Sequence, residues 1–231
     1  GDIARQLLAH YDAHARTLPW RTPPGAGFTN PYHVWLSEIM LQQTTVAAVG
    51  SYFQKFTHIW PSFAALAAAA DADVMAAWAG LGYYARARNL LKCARVVVTE
   101  HGGRLPETEA ELLKLPGVGP YTAAAIAAIA FGQRAVVVDA NVERVVSRLF
   151  AISTPLPQSK PQIRAATDSI TPDRRTGDFA QAMMDLGAGM CSVRAPSCLF
   201  CPLVFACDAA RLGNPETYPA KTPKAAKPQR T

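Results

Sequence analysis

Four cysteines near the end of the chain constrain its fold more than any other feature of the sequence. They are spaced Cys191-x6-Cys198-x2-Cys201-x5-Cys207. Thiolates at such short spacing bind zinc or iron–sulfur clusters, and without a recognisable export signal clustered cysteines indicate metal rather than disulfides. Zinc ribbons usually have two C-x2-C pairs, whereas this segment has one, so the spacing favours an iron–sulfur cluster and leaves zinc as the alternative. The fifth cysteine, Cys93, lies in a helical pattern and is predicted to be a core residue.

The composition predicts an all-α protein. The chain has 231 residues, half of them apolar, which is enough for a sizeable core in one large or two small domains. Alanine is abundant and strand-like runs are few, which favours helices. The formal net charge of +6 is a weak indication of an acidic partner such as DNA. The most apolar stretch, residues 121–131, is too short to cross a bilayer and is predicted to be a buried helix.

Hydrophobic periodicity and capping residues divide the chain into helices. The predicted helices span residues 2–16, 31–42, 45–56, 62–69, 71–79, 84–101, 108–115, 120–132, 139–150, 162–170, 178–190 and 203–212. Residues 21–30 and 153–161 are predicted loops because they are rich in proline or glycine. Residues 213–231 are basic and proline-rich, and we interpret them as an unfolded linker to a further domain that this chain lacks.

A glycine-rich turn joins two of these predicted helices in the segment Leu115-Pro-Gly-Val-Gly-Pro-Tyr-Thr-Ala123. Gly117 and Gly119 permit a tight turn, and Pro120 begins a helix whose free N–H groups can receive a phosphate. A bare G-V-G would favour an ordinary turn, but the full segment has the pattern of the helix–hairpin–helix DNA-binding motif. Basic residues that could add phosphate contacts, each also interpretable as a surface charge, are Arg86, Arg88, Lys92, Arg144 and Arg148.

Two carboxylates are candidates for acid–base chemistry. Glu38 lies in a predicted helix that is apolar almost all round, and burial there would raise its pKa and keep its proton on near neutral pH, as a general acid requires. The alternative is a Glu38 that reaches solvent or pairs with an arginine. Asp139 follows an apolar run and precedes a helix, so it is also interpretable as a plain helix cap. The capping and catalytic roles of Asp139 are compatible.

Taken together, the chain resembles the catalytic part of the bacterial MutY-type adenine DNA glycosylases, within the endonuclease III superfamily. The resemblance covers nearly the whole chain. The matching segments are Leu18-Pro-Trp-Arg21, Val34-Trp-Leu-Ser-Glu-Ile-Met-Leu-Gln-Gln-Thr44, Gly80-Leu-Gly-Tyr-Tyr-Ala-Arg-Ala-Arg-Asn89, residues 115–123, Val138-Asp-Ala-Asn-Val142, Gln181-Ala-Met-Met-Asp-Leu-Gly187 and the four cysteines.

This resemblance implies an architecture and a set of partners. It implies an all-α fold with a six-helix barrel at residues 30–137, and a second subdomain, from residues 1–29 and 138–212, that holds a [4Fe–4S] cluster on the four cysteines. DNA would lie in the cleft between them. The implied partner is double-stranded DNA with adenine opposite 8-oxoguanine or guanine, and the protein would be a monomer in the bacterial cytoplasm, at the nucleoid, with no membrane contact.

The resemblance also implies residue roles. Glu38 would protonate the adenine leaving group, and Asp139 would stabilise the sugar cation or trap it covalently. Tyr121 occupies the position where bifunctional lyases have lysine, which implies a monofunctional glycosylase, and Tyr121 and Asn141 would support the reaction. The other implied contacts to DNA or to the extruded base are Trp20, Arg21, Leu41, Gln42, Gln43, Tyr83, Arg86, Gly117, Gly119 and Gln181, of which Gln43 and Tyr83 would wedge into the duplex.

One residue departs from the family pattern, and two alternative functions stay open. Ala140 stands where the family usually has glycine, which puts the reaction rate in doubt. The lesion-recognition domain of longer family members is also missing here, so selectivity for 8-oxoguanine is expected to be weaker. The alternatives are a thymine-mismatch glycosylase of the same superfamily and a non-catalytic DNA-binding module with a structural metal.

Overall fold

A computed structural model describes residues 1–224 and confirms the all-α prediction. Across these residues the only β-type pairing is a single bridge between Leu156 and Lys221. The described α-helices are α1 Asp2–His14, α2 Pro31–Leu41, α3 Val46–Ile59, α4 Phe63–Ala67, α5 Asp71–Trp78, α6 Tyr84–His101, α7 Glu109–Leu112, α8 Pro120–Phe131, α9 Ala140–Leu149, α10 Lys160–Ile170, α11 Thr176–Asp185 and α12 Asp208–Leu212. None of the described helices is long and apolar enough to span a membrane.

Side-chain caps set the start of five of the twelve described α-helices close to where the sequence predicts them. The backbone amides near the start of five helices donate to the capping residues Asn30, Thr45, Ser62, Thr108 and Asp139. Helix α6 has its predicted bounds and ends where Gly102 adopts a left-handed φ of 62°. Local capping chemistry is therefore enough to locate these boundaries.

Helix α8 is the centre of the molecule. Most of its residues are buried because it packs against α2 on one side and α11 on the other. Its alanines allow close approach, and Gly177 of α11 completes the contact. A Cβ added at Gly177 would lie 2.7 Å from the carbonyl oxygen of Ala128. This contact joins the N-terminal helices to the C-terminal ones.

Two of the predicted helices differ from the structure near the cysteines. The helix predicted over 178–190 ends at Asp185 and continues as a π-helical turn, Leu186–Met190. Gly187 in this turn lies against α9, and a Cβ there would come within 2.7 Å of the Asn141 Cβ. The helix predicted over 203–212 is split into a 3-10 turn, Val204–Ala206, and α12. Sequence periodicity does not detect such one-turn changes.

The predicted linker begins with ordered structure rather than as a free chain. Pro215–Thr217 form a 3-10 turn, and the amide of Leu156 donates to the Ala220 carbonyl at 3.1 Å. Buried Arg148 also donates to the Tyr218 carbonyl at 3.2 Å. The remainder of the predicted linker, residues 225–231, lies outside the described residues. The subdomain boundaries stay a prediction.

Candidate active site and DNA interface

A cleft of about 510 Å³ brings most of the predicted site residues together. Its walls come from the segment between α1 and α2, from α2 itself, from the first turns of α8 and α9, and from α11. The predicted site residues that line it are Trp20, Arg21, Glu38, Leu41, Gln42, Gln43, Tyr121, Asp139, Asn141 and Gln181. The predicted DNA contacts at Tyr83, Arg86, Gly117 and Gly119 lie outside its lining.

Glu38 is buried on α2, and only 8% of the residue is exposed. Burial, together with the negative charge of Asp139, raises the pKa of Glu38 to about 7. A hydrogen bond with the Tyr121 side chain and the positive charge of Arg21 act in the opposite direction. Near neutral pH a substantial fraction of Glu38 therefore holds a proton that it can donate into the cleft.

Asp139 is both the cap of α9 and a wall of the cleft. One carboxylate oxygen accepts a hydrogen bond from the Val142 amide at 2.8 Å, and the other accepts one from the Asn141 side-chain amide at 3.4 Å. Burial raises the pKa of Asp139, while these hydrogen bonds lower it. The cap therefore holds the carboxylate in one orientation beside Glu38.

Tyr121 contributes a neutral hydroxyl that is hydrogen-bonded to Glu38 in the cleft. It follows Pro120 in the first turn of α8, and burial together with the charges of Glu38 and Asp139 raises the pKa of Tyr121 well above its ordinary value. Its hydroxyl also lies 3.9 Å from the Met184 sulfur. Tyr121 is therefore a hydrogen-bonding group in the cleft and offers no nucleophilic amine.

The predicted base contacts lie around these groups. Trp20 packs edge-to-face on Phe53 with ring centroids 5.5 Å apart, and Leu41 is half-buried at the end of α2. The side-chain amide of Gln181 donates to the Gly177 carbonyl at 3.2 Å, which fixes the orientation of the amide. Ala140, the departure from the family pattern, begins α9 and does not have the left-handed backbone that would need glycine.

Asp185 is a cleft-side residue that sequence reasoning missed. The Asp185 carboxylate accepts hydrogen bonds from the Arg16 amide at 3.1 Å, from Arg16 Nε at 2.6 Å and from Arg21 Nη1 at 2.8 Å. A signal was available, because Asp185 lies one helical turn after Gln181 in the same matching segment. Only the fold brings it to Arg21.

The glycine-rich turn exposes a helix N-terminus. Gly117 has a left-handed φ of 75° and packs on Asn89, while Gly119 caps α8 with nothing within 4 Å of an added Cβ. No side chain caps the amides that follow Gly119. The Gln42 side chain donates to Thr122 Oγ1 at 3.3 Å and to the Gly117 carbonyl at 3.5 Å. Gln42 therefore links the turn to α2 and the cleft.

Gln43 and Tyr83 project from strained backbone at the protein surface. Both side chains are exposed, and their φ values are 57° and 53°, in the left-handed region that favours glycine. Non-glycine residues held in this region cluster at functional sites, where the surrounding structure holds the strain. This conformation is consistent with the predicted role of both side chains as wedges.

Three of the basic residues predicted to contact phosphate, Arg86, Arg144 and Arg148, have hydrogen-bond partners inside the fold. Buried Arg86 donates to the carbonyls of Ile39 and Met40, at 3.1 and 2.7 Å, and to Thr44 Oγ1 at 2.9 Å. The carbonyls at the end of α2 need donors, and Arg86 supplies them. The guanidinium groups of Arg144 and Arg148 donate to carbonyls and a thiol around Cys191. Contact of these three arginines with DNA stays a prediction. Arg88 and Lys92 are exposed.

The four clustered cysteines, Cys191, Cys198, Cys201 and Cys207, line one small pocket together with Arg148. Among residues 1–224 no three His, Cys, Asp or Glu side chains lie close enough to hold a single metal ion. Arg148 is 2% exposed, has no acidic partner in the described ion pairs, and donates to the Cys191 sulfur at 3.4 Å. A buried cation against these thiols fits a negatively charged group larger than one ion.

Residues 36–172 match the family described as HhH-GPD superfamily base excision DNA repair protein. The chain belongs to this family. The matched region includes the turn between α7 and α8, where the sequence predicts the helix–hairpin–helix motif, and it carries Glu38, Tyr121 and Asp139 together. The match ends before the cysteines, so the metal prediction depends on the residues of this chain.

Similar HhH-GPD relatives are named adenine DNA glycosylase. The Homo sapiens protein is 45% identical over 210 residues, which cover 88% of this chain and 38% of that protein. The Mycobacterium tuberculosis protein is 42% identical, with 85% and 64% covered. The Buchnera aphidicola protein is 38% identical over 231 residues, with 99% and 65% covered. The chain therefore spans less than two thirds of the length of each of these relatives.

Solved HhH-GPD structures share this fold. A thermostable thymine-DNA glycosylase has a TM-score of 0.80 and 29% identity, covering 91% of this chain and 95% of that one. A non-covalent endonuclease III–DNA complex has a TM-score of 0.74 at 24% identity, covering 91% and 94%, which is a likeness of fold alone. The sequence prediction of the superfamily is confirmed.

Proposed function

We propose that this chain is a monofunctional DNA glycosylase that removes adenine paired with 8-oxoguanine or guanine in chromosomal DNA. The observation that carries the proposal is the buried Glu38, whose pKa is raised to about 7, together with the hydrogen-bonded Asp139 in the same cleft. Acid-assisted cleavage of a glycosidic bond requires two carboxyl groups, one that donates a proton and one that stabilises the sugar cation. The names of the relatives support adenine as the base.

In the proposed reaction Glu38 donates its proton to a ring nitrogen of the extruded adenine. The electron pair of the bond between sugar and base then leaves with the adenine, and the sugar develops positive charge. The carboxylate of Asp139, held by the α9 cap, stabilises that charge until water adds to the sugar carbon and loses a proton. Because Tyr121 has no amine, no Schiff base forms and the strand is left intact.

The DNA would be held mainly by the turn at residues 115–120. The uncapped amides at the start of α8 can donate to a phosphate, since the Gly119 surface is open to close approach. Gln43 and Tyr83 would fill the space that the extruded adenine leaves and offset part of the unstacking energy. Phosphate contacts fix the register, and the cleft then selects the base.

The four clustered cysteines would hold a [4Fe–4S] cluster. When bound, the cluster would supply a rigid cross-link between the segments that carry its ligands, with Arg148 compensating its negative charge. We assign it no part in bond cleavage. Because Cys191 follows the α11 segment, the cluster would stabilise the wall of the cleft that carries Gln181.

A single-turnover assay with duplexes containing adenine opposite 8-oxoguanine or guanine tests this function. The Glu38→Gln variant keeps the shape but loses the titratable proton, so we expect base release to slow by at least about 100-fold while DNA binding is retained. Glu111→Gln, a change of the same type at an exposed ion pair with Lys114, is the control and should leave the rate unchanged. Undiminished adenine release by Glu38→Gln would refute the assigned role.

A thymine-mismatch glycosylase is the second candidate, favoured by the likeness to a thymine-DNA glycosylase. The same assay distinguishes the two, because thymine release opposite guanine that is faster than adenine release would identify this activity. The third interpretation, a DNA-binding module without catalysis, predicts tight binding and no base release from any mismatch. The cost of burying Glu38 without a function argues against it.

A further inference from the structure

The Asp185 carboxylate joins Arg16 and Arg21, two arginines that line the cleft. It is the last residue of α11, its side chain is 13% exposed, and the Arg21 side chain is 7% exposed. The hydrogen bonds from Arg16 and Arg21 occupy both carboxylate oxygens. A carboxylate with this many donors has one preferred orientation, and so do the donors.

Arg21 depends on this contact for its position. In the described part of the chain, Nη1 is the one guanidinium nitrogen of Arg21 with a hydrogen-bond partner, and that partner is Asp185. The side chain lines the cleft together with Glu38 and Tyr121. Its remaining N–H groups are therefore available to a ligand in the cleft. A flexible arginine lacking this anchor would have many other orientations available.

We propose that Asp185 is a positioning residue for the base: it holds Arg21 so that the unoccupied guanidinium N–H groups face the ring-nitrogen acceptors of a purine in the cleft. The inference deepens the proposed function and depends on it. Asp185 itself does not touch the base, because both of its oxygens are occupied by Arg16 and Arg21.

A purely structural role for Asp185 is the competing interpretation, since the ion pair joins the segment after α1 to α11. A second ion pair joins this N-terminal region to α11. It lies between Asp12 of α1 and Arg175 at the start of α11, whose side chains are 49% and 35% exposed. Arg175 also pairs with Asp178. The α1–α11 contact thus has an anchor away from the cleft, and Asp12→Asn is a matched control.

A double-mutant cycle tests the proposal in single-turnover adenine release. We expect Asp185→Asn to slow base release by up to about 100-fold, as small misplacements of binding groups do. The Kd for the duplex should differ from that of the wild type by less than about threefold. Asp185→Glu, which keeps the charge, should recover part of the rate. Asp12→Asn should behave as wild type. Adding Asp185→Asn to Arg21→Met should cost nothing further, because Asp185 acts through Arg21.

Each outcome is informative. If Asp185→Asn slows Arg21→Met by the same factor as it slows wild type, or if it weakens duplex binding without slowing release, the proposal is overturned. Circular dichroism and the Tm of each variant identify unfolding, and if Asp185→Asn does not fold, an Asp185→Glu variant as slow as Arg21→Met overturns it. No adenine release by the wild-type chain refutes the proposed function and this inference together, whereas an active wild type with an equally active Asp185→Asn refutes this inference alone.

Discussion

At the scale of single residues, Glu38 shows how the fold changes an ordinary carboxyl group. The unfolded chain would ionise Glu38 near the ordinary glutamate pKa of 4.5, whereas the folded chain ionises it near 7. Because the folded pKa is the higher one, stability associated with protonated Glu38 is fully present below the lower value and is lost as pH rises through the higher one. The buried acid therefore reduces stability at alkaline pH, a cost that a catalytic role explains.

The pKa of Glu38 predicts the pH dependence of base release. Since the protonated form of Glu38 is the active one, the single-turnover rate should fall about tenfold per pH unit well above its pKa, and it should also fall at acid pH where Asp139, whose pKa is raised, loses its charge. A series of single-turnover rates from about pH 5 to about pH 9 checks this. A rate that stays constant across that range, with product release excluded, would show that Glu38 is not the acid.

At the level of helices, the contact between α8 and α11 depends on glycine at position 177, where no side chain separates the two backbones. Gly177→Ala should lower the free energy of unfolding by about 1–3 kcal/mol, because the new Cβ would overlap the Ala128 carbonyl of α8. Gly189→Ala, where nothing lies within 4 Å of the new Cβ, is the control. Urea denaturation measures both changes. Equal stability of the two variants would contradict this account of the packing.

The two glycines of the hairpin should respond differently to alanine. Gly119→Ala leaves the fold intact because its surroundings are open, but the methyl group obstructs a phosphate, so duplex affinity should fall about tenfold, which is roughly 1.4 kcal/mol. Gly117→Ala should instead lower the Tm for two reasons. The left-handed backbone at Gly117 disfavours a side chain, and the new Cβ would lie only 3.0 Å from the Asn89 Cβ. Fluorescence anisotropy and thermal melts separate the two effects. Wild-type affinity in Gly119→Ala would contradict the phosphate site.

At the scale of the whole molecule, the cleft is assembled from distant segments. Glu38, Tyr121 and Asp139 line the cleft, and Asp185 holds Arg21 of its lining. These four acidic and phenolic residues come from four helices or their caps, and α8 packs against both α2 and α11. The cysteine pocket adjoins the end of the α11 segment, and Arg148 of α9 reaches into it. We therefore expect that disrupting the cysteine pocket also weakens DNA binding.

Replacing one cysteine tests that connection. We expect Cys207→Ser to lose the visible absorption of the proposed cluster and duplex affinity together, whereas Cys93→Ala, a buried thiol outside the pocket, should keep both. Absorption spectra and anisotropy on the same samples provide the comparison. A folded protein without the cluster that binds DNA as well as wild type would remove the architectural role.

From its amino-acid sequence the chain could be assigned the starts of the capped helices, the end of α6, the glycine-rich turn and the candidate carboxylates. These depend on local chemistry: Asn30 and Asp139 cap helices through nearby amides, and Gly102 ends α6 with its left-handed backbone. Tertiary structure alone decided which polar groups share a site. Arg86 has the sequence context of a surface cation yet caps the end of α2, and Asp185 reaches Arg21 from the far side of the fold. Burial and partnership over long sequence separations follow from how helices pack, which no local pattern encodes.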